Sequence, residues 1–227
     1  MKYLNYFFYI ATNWDIRIAW YILINEIRGE KKYGINTTGK DDLQHVEEKG
    51  IDIEHATIYM PASYDLLEEI FTQLSSKKIK HLLDIGCGKG RALCVAAHYN
   101  ITKLTGIDFS KELCIAAEKN LTQTKEKIPT IDWEILNNDA FYFDIPATVD
   151  CIFMFNPFDE VIMEGVVENI MISLGETPRK LYVVYVNPLN KEILLGNGFT
   201  EIYYTKKLKY LEVSILEFTP KNSISTK

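Results

Sequence analysis

Strand and helix signals alternate along most of this chain of 227 residues, and this alternation limits the folds that it can adopt. Short apolar runs predict strands at residues 81–85, 103–107, 131–136, 150–155 and 181–186. Helical spacing predicts a helix over 64–74 that begins near Ser63, and helices between the strands at about 90–98, 111–121 and 160–174. Strands joined by helical crossovers pair in parallel. The last two predicted strands, 199–204 and 210–218, flank a short Lys-rich turn and should pair antiparallel. We therefore expect an α/β fold with a mostly parallel sheet and helices on both faces.

The first 55 residues precede this alternation, and we expect a helical extension with a connector there, a main domain over 56–220 and a tail over 221–227. Apolar residues recur at helical spacing near the start, at Leu4, Phe7, Ala11, Trp14, Ile18 and Tyr21. Charged and amide residues interrupt the stretch, so it lacks the unbroken apolar length of a membrane-spanning helix, and no signal-peptide cleavage pattern follows. We expect these helices to pack on the body of the protein or on a second subunit, giving a homo-oligomer. A peripheral membrane contact and a substrate-recognition lid are the alternatives.

Charge and cysteine content disfavour several functions. The chain has 31 acidic and 25 basic residues, a net charge of −6, which argues against binding to nucleic acid phosphates. Cys87, Cys94, Cys114 and Cys151 form no Cys-x-x-Cys pair and fall in predicted core elements, so we expect reduced thiols and a cytoplasmic protein. The histidines lack the spacing of a helical metal site, and we expect no metal.

A glycine-rich segment, Asp84-Ile85-Gly86-Cys87-Gly88-Lys89-Gly90, joins the first predicted strand to a helix. Its glycines permit a tight turn and let a ligand approach the backbone closely. A dinucleotide-binding fingerprint needs a further glycine at position 91, where Arg91 stands. We expect Cys87, inside this loop, to lie near solvent.

Three further motifs each follow a predicted strand. Asp108, in Gly106-Ile107-Asp108-Phe109-Ser110, ends the second strand and is placed to accept hydrogen bonds from ribose hydroxyls, or else to cap the next helix. Asp139 and Ala140 follow the third strand, and a plain turn aspartate is the competing interpretation there. Asn156, Pro157 and Phe158 follow the fourth strand, at the edge where parallel sheets bind ligands.

Together these motifs resemble, over about residues 59–218, the class I S-adenosylmethionine-dependent methyltransferases. That family has a Rossmann-like seven-stranded sheet whose last two strands form an antiparallel hairpin. The resemblance implies S-adenosyl-L-methionine as the cofactor. It also implies the cofactor contacts: the methionine portion near Asp84, Gly86, Cys87, Gly88 and Gly90, the ribose near Asp108 and Phe109, and the adenine near Asp139 and Ala140.

Two shorter resemblances concern the methyl acceptor. Asn156-Pro157-Phe158 is similar to the Asn-Pro-Pro-Tyr type motif of methyltransferases that modify planar amide or base nitrogens, but Phe158 replaces the second proline. It implies that Asn156 contacts the cofactor and, with Pro157 and Phe158, orients an acceptor amine. The segment from Tyr59 to Ser63 is similar to one that closes over the cofactor in a group of protein-lysine methyltransferases, which makes both of these residues candidate cofactor contacts.

We therefore expect a methyltransferase whose acceptor is a protein lysine or a small molecule rather than nucleic acid. Two alternatives stay open at this point. One is an NAD-dependent oxidoreductase, because a carboxylate at Asp108 suits the ribose of either cofactor. The other is a cofactor-binding regulator without catalysis.

Overall fold

Seven strands form one sheet in the computed structural model, which describes residues 2–13, 16–38, 61–155, 158–207 and 211–220. Two of these strands are buried along their whole length, as expected for strands covered on both faces. The strands are β1 (His81–Ile85), β2 (Lys103–Asp108), β3 (Asp132–Asn137), β4 (Cys151–Phe155), β5 (Leu181–Val186), β6 (Thr200–Lys207) and β7 (Leu211–Phe218).

The strand order is β3-β2-β1-β4-β5-β7-β6. Strands β1 to β5 pair in parallel, whereas β7 runs antiparallel to both β5 and β6. The mostly parallel sheet and the antiparallel terminal hairpin expected from the sequence are confirmed. Because the order reverses between β1 and β4, the carboxyl ends of β1, β2 and β4 border the crevice where open α/β sheets bind ligands.

Helices cover both faces of the sheet. Neighbouring residues of a strand point to opposite faces, so Leu82 belongs to one core, with helices α3 to α5, and Leu83 to the other, with α6 and α7. The helices are α1 (Lys2–Asn13), α2 (Ile16–Tyr33), α3 (Tyr64–Leu74), α4 (Arg91–Ala97), α5 (Lys111–Lys127), α6 (Glu160–Glu176) and α7 (Lys191–Gly196).

The bounds predicted from the sequence agree best where burial is complete. Strands β1 and β5 and helix α3 begin and end at the predicted residues. Helix α5, expected over 111–121, continues to Lys127, because polar residues prolong it after its apolar stripe ends. Helix α7 was not predicted, since six residues are too few to display a helical period.

Helices α1 and α2 form an N-terminal helical hairpin. Phe7, Ala11 and Ile22 pack around the buried Ala19, and the Tyr3 hydroxyl donates a hydrogen bond to Glu30 near the far end of α2. Leu4, expected in the packed stripe, is exposed instead. Trp14 of that stripe lies outside the described residues. Neither described helix of the hairpin, nor any other, is long and apolar enough to cross a bilayer.

A buried ion pair joins this hairpin to the first turn of α4. The Arg91 guanidinium donates hydrogen bonds to both Glu26 carboxylate oxygens, with a distance of 2.7 Å from Nη1 to Oε1. It also donates to the Thr37 hydroxyl at 2.7 Å and to the Ala62 carbonyl at 2.9 Å. The guanidinium lies 4.2 Å above the Tyr64 ring. Arg91 therefore holds together α2, the segment after it and the start of α3.

Removal of the Glu26 carboxylate should destabilise the protein strongly. Glu26→Ala leaves the Arg91 cation buried without its counter-charge, so we expect the free energy of unfolding to fall by about 3–5 kcal/mol. Urea denaturation followed by circular dichroism measures the loss. Glu212→Ala is the control, because it removes an ion pair with Lys206 at the surface. Equal, small losses in the two variants would show that the buried pair does not hold the hairpin.

Candidate functional site

The loop between β1 and α4 depends on three glycines. Gly86, Gly88 and Gly90 have φ angles of 76°, 54° and 74°, a left-handed region that residues with a side chain rarely adopt. The amides of Gly86 and Cys87 both donate to the Ile107 carbonyl at 2.9 Å, which ties the loop to β2. A Cβ on Gly90 would lie 3.2 Å from the Ala117 side chain of α5. The loop is thus a tight turn with its backbone close to the ends of β1 and β2.

Two buried carboxylates lie beside this loop. Asp84 is 2% exposed, and none of the described residues donates a hydrogen bond to its carboxyl group. Burial raises the pKa of Asp84 well above its ordinary value, and the nearby Asp108 carboxylate raises that pKa further. A group in this condition either takes up a proton or gains a cation when a ligand binds.

Asp108 is ordered by two backbone amides. Its Oδ2 accepts from the Gly88 amide at 2.8 Å, and its Oδ1 accepts from the Ser110 amide at 2.9 Å. Helix α5 takes its amino-terminal cap from Ser110, whose hydroxyl accepts from the Leu113 amide. The carboxylate of Asp108 therefore does not serve as the cap of α5. It binds the glycine loop directly.

Asn137 fixes the backbone after β2, and the sequence analysis did not single it out. Its side-chain amide donates to the Asp108 carbonyl at 3.0 Å and to the Phe109 carbonyl at 2.7 Å. Phe109 itself is half-buried. Asparagine at the end of a strand is a common turn residue, so nothing in the local sequence marks Asn137 as a support for the neighbouring strand end.

Asp139 and Ala140 follow β3, at the same carboxyl edge of the sheet as the ends of β1 and β2. Oδ1 of Asp139 accepts from the Phe141 amide at 2.9 Å and so caps a single 3₁₀ turn, Ala140–Tyr142. The Asp139 side chain is exposed and Ala140 is half-buried. The turn role that the sequence analysis gave as the alternative is therefore present. A second role toward a ligand remains compatible with it, because a carboxylate accepts more than one hydrogen bond.

Ser63 precedes α3 at its amino-terminal cap position, but its side chain does not cap the helix. The residue is buried, and its hydroxyl has no hydrogen-bonding partner among the described residues. Its neighbour Ala62 accepts a hydrogen bond from Arg91, which places this segment against the first turn of α4. Tyr59, the other residue expected from this segment, lies outside the described residues.

The motif after β4 is described only in part. Asn156 and Pro157 lie outside the described residues, and Phe158 is half-buried and packs against the core that contains Leu83. Phe153 is buried in the opposite core, and Phe155 packs against it. Both phenylalanines of this strand therefore serve the core.

Cys87 is buried, so the expectation that it lies near solvent was wrong. Burial raises the pKa of its thiol well above the ordinary value, and the Asp84 and Asp108 carboxylates raise it further. The thiol stays protonated and unreactive, and what Cys87 offers a ligand is its backbone. Among the described residues, no group of His, Cys, Asp and Glu side chains could hold a metal ion.

The structural role of Arg91 was also not predicted from the sequence. In the sequence, Arg91 served only to show that the last glycine of a dinucleotide-binding fingerprint is missing. In the structure it is 3% exposed and forms an ion pair with Glu26. Its charge is therefore paired with a carboxylate of the N-terminal hairpin. One signal was available, since a lone charged residue opening the apolar helix Arg91–Ala97 predicts a buried partner.

Comparison with known proteins finds a methyltransferase domain model and solved methyltransferases with a similar fold. Residues 83–182 match a family model described as a methyltransferase domain. No curated protein matches the chain. Among solved structures, a ribosomal protein L11 methylase from Lactobacillus delbrueckii subsp. bulgaricus is 17% identical, with a TM-score of 0.52 over 66% of this chain and 77% of that one.

Two further structures share the fold. A SAM-dependent methyltransferase from Aquifex aeolicus is 15% identical, with a TM-score of 0.51 over 78% of this chain and 99% of that one. A SAM-dependent O-methyltransferase from Thermotoga maritima is also 15% identical, with a TM-score of 0.52 over 72% of this chain and 68% of that one. Residues 83–182 are therefore similar to a methyltransferase domain, and the chain shares the fold of these S-adenosylmethionine-dependent methyltransferases.

Proposed function

We propose that this protein transfers the methyl group of S-adenosylmethionine to an acceptor nitrogen, with a protein lysine as the first candidate and a small-molecule amine as the second. The observation that carries the proposal is the pair of buried carboxylates, Asp84 and Asp108, beside the glycine loop. S-adenosylmethionine brings an ammonium and a sulfonium group, so it would place positive charge next to these carboxylates.

The residues present fit this cofactor. The Asp84 carboxyl, buried and without a hydrogen bond from the described residues, is our candidate for the ammonium group, with the methionine portion along the backbone of Gly86, Cys87, Gly88 and Gly90. Asp108 is our candidate for the ribose hydroxyls. A carboxylate offers about four acceptor sites, and the Gly88 and Ser110 amides donate to two of them.

The remaining contacts are proposed at the edges of the crevice. We assign the adenine amine to Asp139 and a ring nitrogen to the Ala140 amide, with Phe109 beside the ribose. Ser63 contributes its unpartnered hydroxyl from the other side of the loop. Tyr59 and Asn156 complete the proposed contacts on the evidence of the sequence motifs alone.

The same features disfavour an NAD-dependent oxidoreductase. A pyrophosphate needs free amides at the glycine loop, but the Gly88 amide already donates to the Asp108 carboxylate. Two carboxylates beside the loop would repel the negative pyrophosphate, and the Arg91 guanidinium that follows the loop is paired with Glu26.

The chemistry asked of the chain is mainly positioning. When bound, S-adenosylmethionine supplies an electrophilic methyl group on a positively charged sulfur. The protein's task is to hold the acceptor in line with that methyl group and to exclude water. We assign the orientation of an acceptor amine to Asn156, with Pro157 and Phe158 shaping its surroundings, and we assign no general base.

The preference for a protein lysine rests on the segment that ends at Ser63. Its hydroxyl is buried next to Ala62, whose carbonyl accepts from Arg91 at the start of α4, and it does not cap α3, as suits a side chain reserved for a ligand. The four buried, free thiols suit a reducing compartment, so we propose a cytoplasmic location.

A methyl-transfer screen tests the proposal. The purified protein is incubated with radiolabelled S-adenosylmethionine and cell extract, and label is followed separately in protein and small-molecule fractions. Label on protein lysine supports the first candidate, and label on a small amine supports the second. Binding of the cofactor without transfer to any fraction would favour a regulator without catalysis. Asp108→Ala serves as the control for transfer by a contaminating enzyme.

Loss of the Asp108 carboxylate should weaken cofactor binding. For Asp108→Ala we expect the dissociation constant for S-adenosylmethionine, measured by calorimetry, to rise by about tenfold or more, because charge-assisted hydrogen bonds are lost. Asp132→Ala is the matched control, since Asp132 is exposed at the amino end of β3. An unchanged constant in a folded Asp108 variant would remove this residue from the site.

Cofactor binding should be linked to proton release from Asp84. A cation favours the ionised carboxylate, whose pKa is raised in the free protein, so binding expels the proton. Affinity should therefore increase as pH rises toward that pKa and level off above it. Calorimetry in buffers of different ionisation enthalpy counts the protons. Asp84→Asn should abolish the release, and an identical release in that variant would assign the proton to another group.

Ser63→Ala should separate stability from binding. The hydroxyl is buried and has no hydrogen-bonding partner among the described residues, so its removal should leave the ligand-free protein as stable or more stable. Affinity for S-adenosylmethionine should nevertheless fall, because a polar contact is lost. Thermal unfolding and calorimetry give the two quantities. Ser75→Ala, at the other end of α3, is the control. Unchanged affinity would exclude Ser63 as a cofactor contact.

A further inference from the structure

The N-terminal helical hairpin carries a row of exposed apolar side chains, which we call the outer face. Each of them is between 46% and 60% exposed: Leu4 and Phe8 on α1, and Ile16, Trp20, Ile24 and Ile27 on α2. The four on α2 are spaced by four, four and three residues, so they lie on one side of that helix. Exposed apolar residues are ordinary when scattered, but a contiguous row marks an interaction surface.

The opposite side of α2 is the one that packs on the body of the protein. Glu26, Gly29 and Tyr33 are buried there, and Tyr33 stacks on Tyr64 at 5.6 Å between ring centroids. A Cβ on Gly29 would lie 2.1 Å from the Tyr64 ring, which shows how closely this side is packed. The outer face is therefore not explained by packing within the described chain.

The charges around the outer face are positive. The exposed ionisable side chains of the described hairpin are all basic: Arg17, Arg28, Lys31 and Lys32. Its two acidic residues, Glu26 and Glu30, are buried and hydrogen-bonded. Arg28 and Lys32 share the single carboxylate of Glu68, so these two residues and Lys31 leave a positive excess whatever Arg17 contacts. The whole chain, by contrast, has a net charge of −6.

We propose that the outer face docks on the surface of a bilayer that contains anionic lipids. An apolar stripe with an aromatic residue and flanking Lys and Arg is the pattern of helices that lie in the membrane interface. The hairpin lies on the bilayer without crossing it, in keeping with the lack of a spanning helix among the described residues. This inference goes beyond the proposed methyl transfer and does not depend on it.

The charges around the outer face also disfavour a second copy of the chain as the partner that covers it. A symmetric dimer through the outer face would place the same surface on both sides of the interface. Basic side chains would then face basic side chains, with no exposed acidic partner on the described hairpin. An anionic bilayer supplies the negative charge that a second copy lacks.

Sedimentation with lipid vesicles tests the proposal without any cofactor. We expect the full chain to sediment with vesicles of phosphatidylcholine and phosphatidylglycerol, to bind vesicles of phosphatidylcholine alone more weakly, and to dissociate as salt is raised. The double variant Trp20→Ser, Ile24→Ser should lower partitioning by about tenfold or more, because two large apolar side chains no longer insert. Lys31→Glu should weaken binding to the anionic vesicles only.

Matched controls lie on α5, where Ile115 and Lys119 are also exposed. Ile115→Ser and Lys119→Glu should bind vesicles as the unchanged protein does, and circular dichroism verifies that every variant is folded. The proposal is overturned if the unchanged protein ignores anionic vesicles, or if the hairpin and α5 variants bind equally. A concentration-dependent dimer that the double variant dissolves, without vesicle binding, would assign the face to a second copy instead.

Discussion

The Glu26–Arg91 ion pair governs the placement of the hairpin against the first turn after the glycine loop. A buried guanidinium is tolerated only when it is paired and hydrogen-bonded, and here Glu26, Thr37 and the Ala62 carbonyl take up its donors. The guanidinium follows the glycine loop by one residue, yet its bonds run to α2 and to the segments next to it. The first turn after the loop is thus held by a partner that the N-terminal hairpin supplies.

Helix α2 consequently serves two surfaces at once. On its inner side, Glu26 binds Arg91 and Gly29 packs closely against α3. Its outer side exposes Trp20 and the neighbouring apolar residues. A ligand bound at the outer face would meet a helix whose other side is bonded to the first turn after the glycine loop. Such an arrangement orients the crevice relative to whatever the hairpin binds. It needs no movement of the loop, since the ion pair and the packed Tyr33–Tyr64 rings already make one rigid connection.

Local patterns were sufficient for the sheet and for the loop, but not for the contacts that complete the site. The burial of β1 follows from a short apolar run, and the turn at Gly86 and Gly88 follows from residues that alone tolerate the observed φ angles. By contrast, Arg91 and Glu26 are 65 residues apart, and no periodicity links them. Ser63 was placed correctly before α3, yet its failure to cap the helix depends on tertiary surroundings. Leu4 was assigned to a packed stripe because helical spacing shows which residues share a side, not which side is covered.

Two buried polar groups, the Asp84 carboxyl and the Ser63 hydroxyl, lower the stability of the ligand-free protein. The Asp84 carboxyl and the Ser63 hydroxyl have both been taken out of water, and neither receives a hydrogen bond from the described residues. Each such group costs stability in the ligand-free protein, on the order of 1–3 kcal/mol for a neutral group. Packing against α2 and α3 must offset this cost. A ligand that satisfies both groups recovers it as binding free energy, so the unsatisfied groups favour a ligand with a hydrogen-bonding cation over an apolar one. That ligand chemistry is the one that an amino-acid sulfonium cofactor offers.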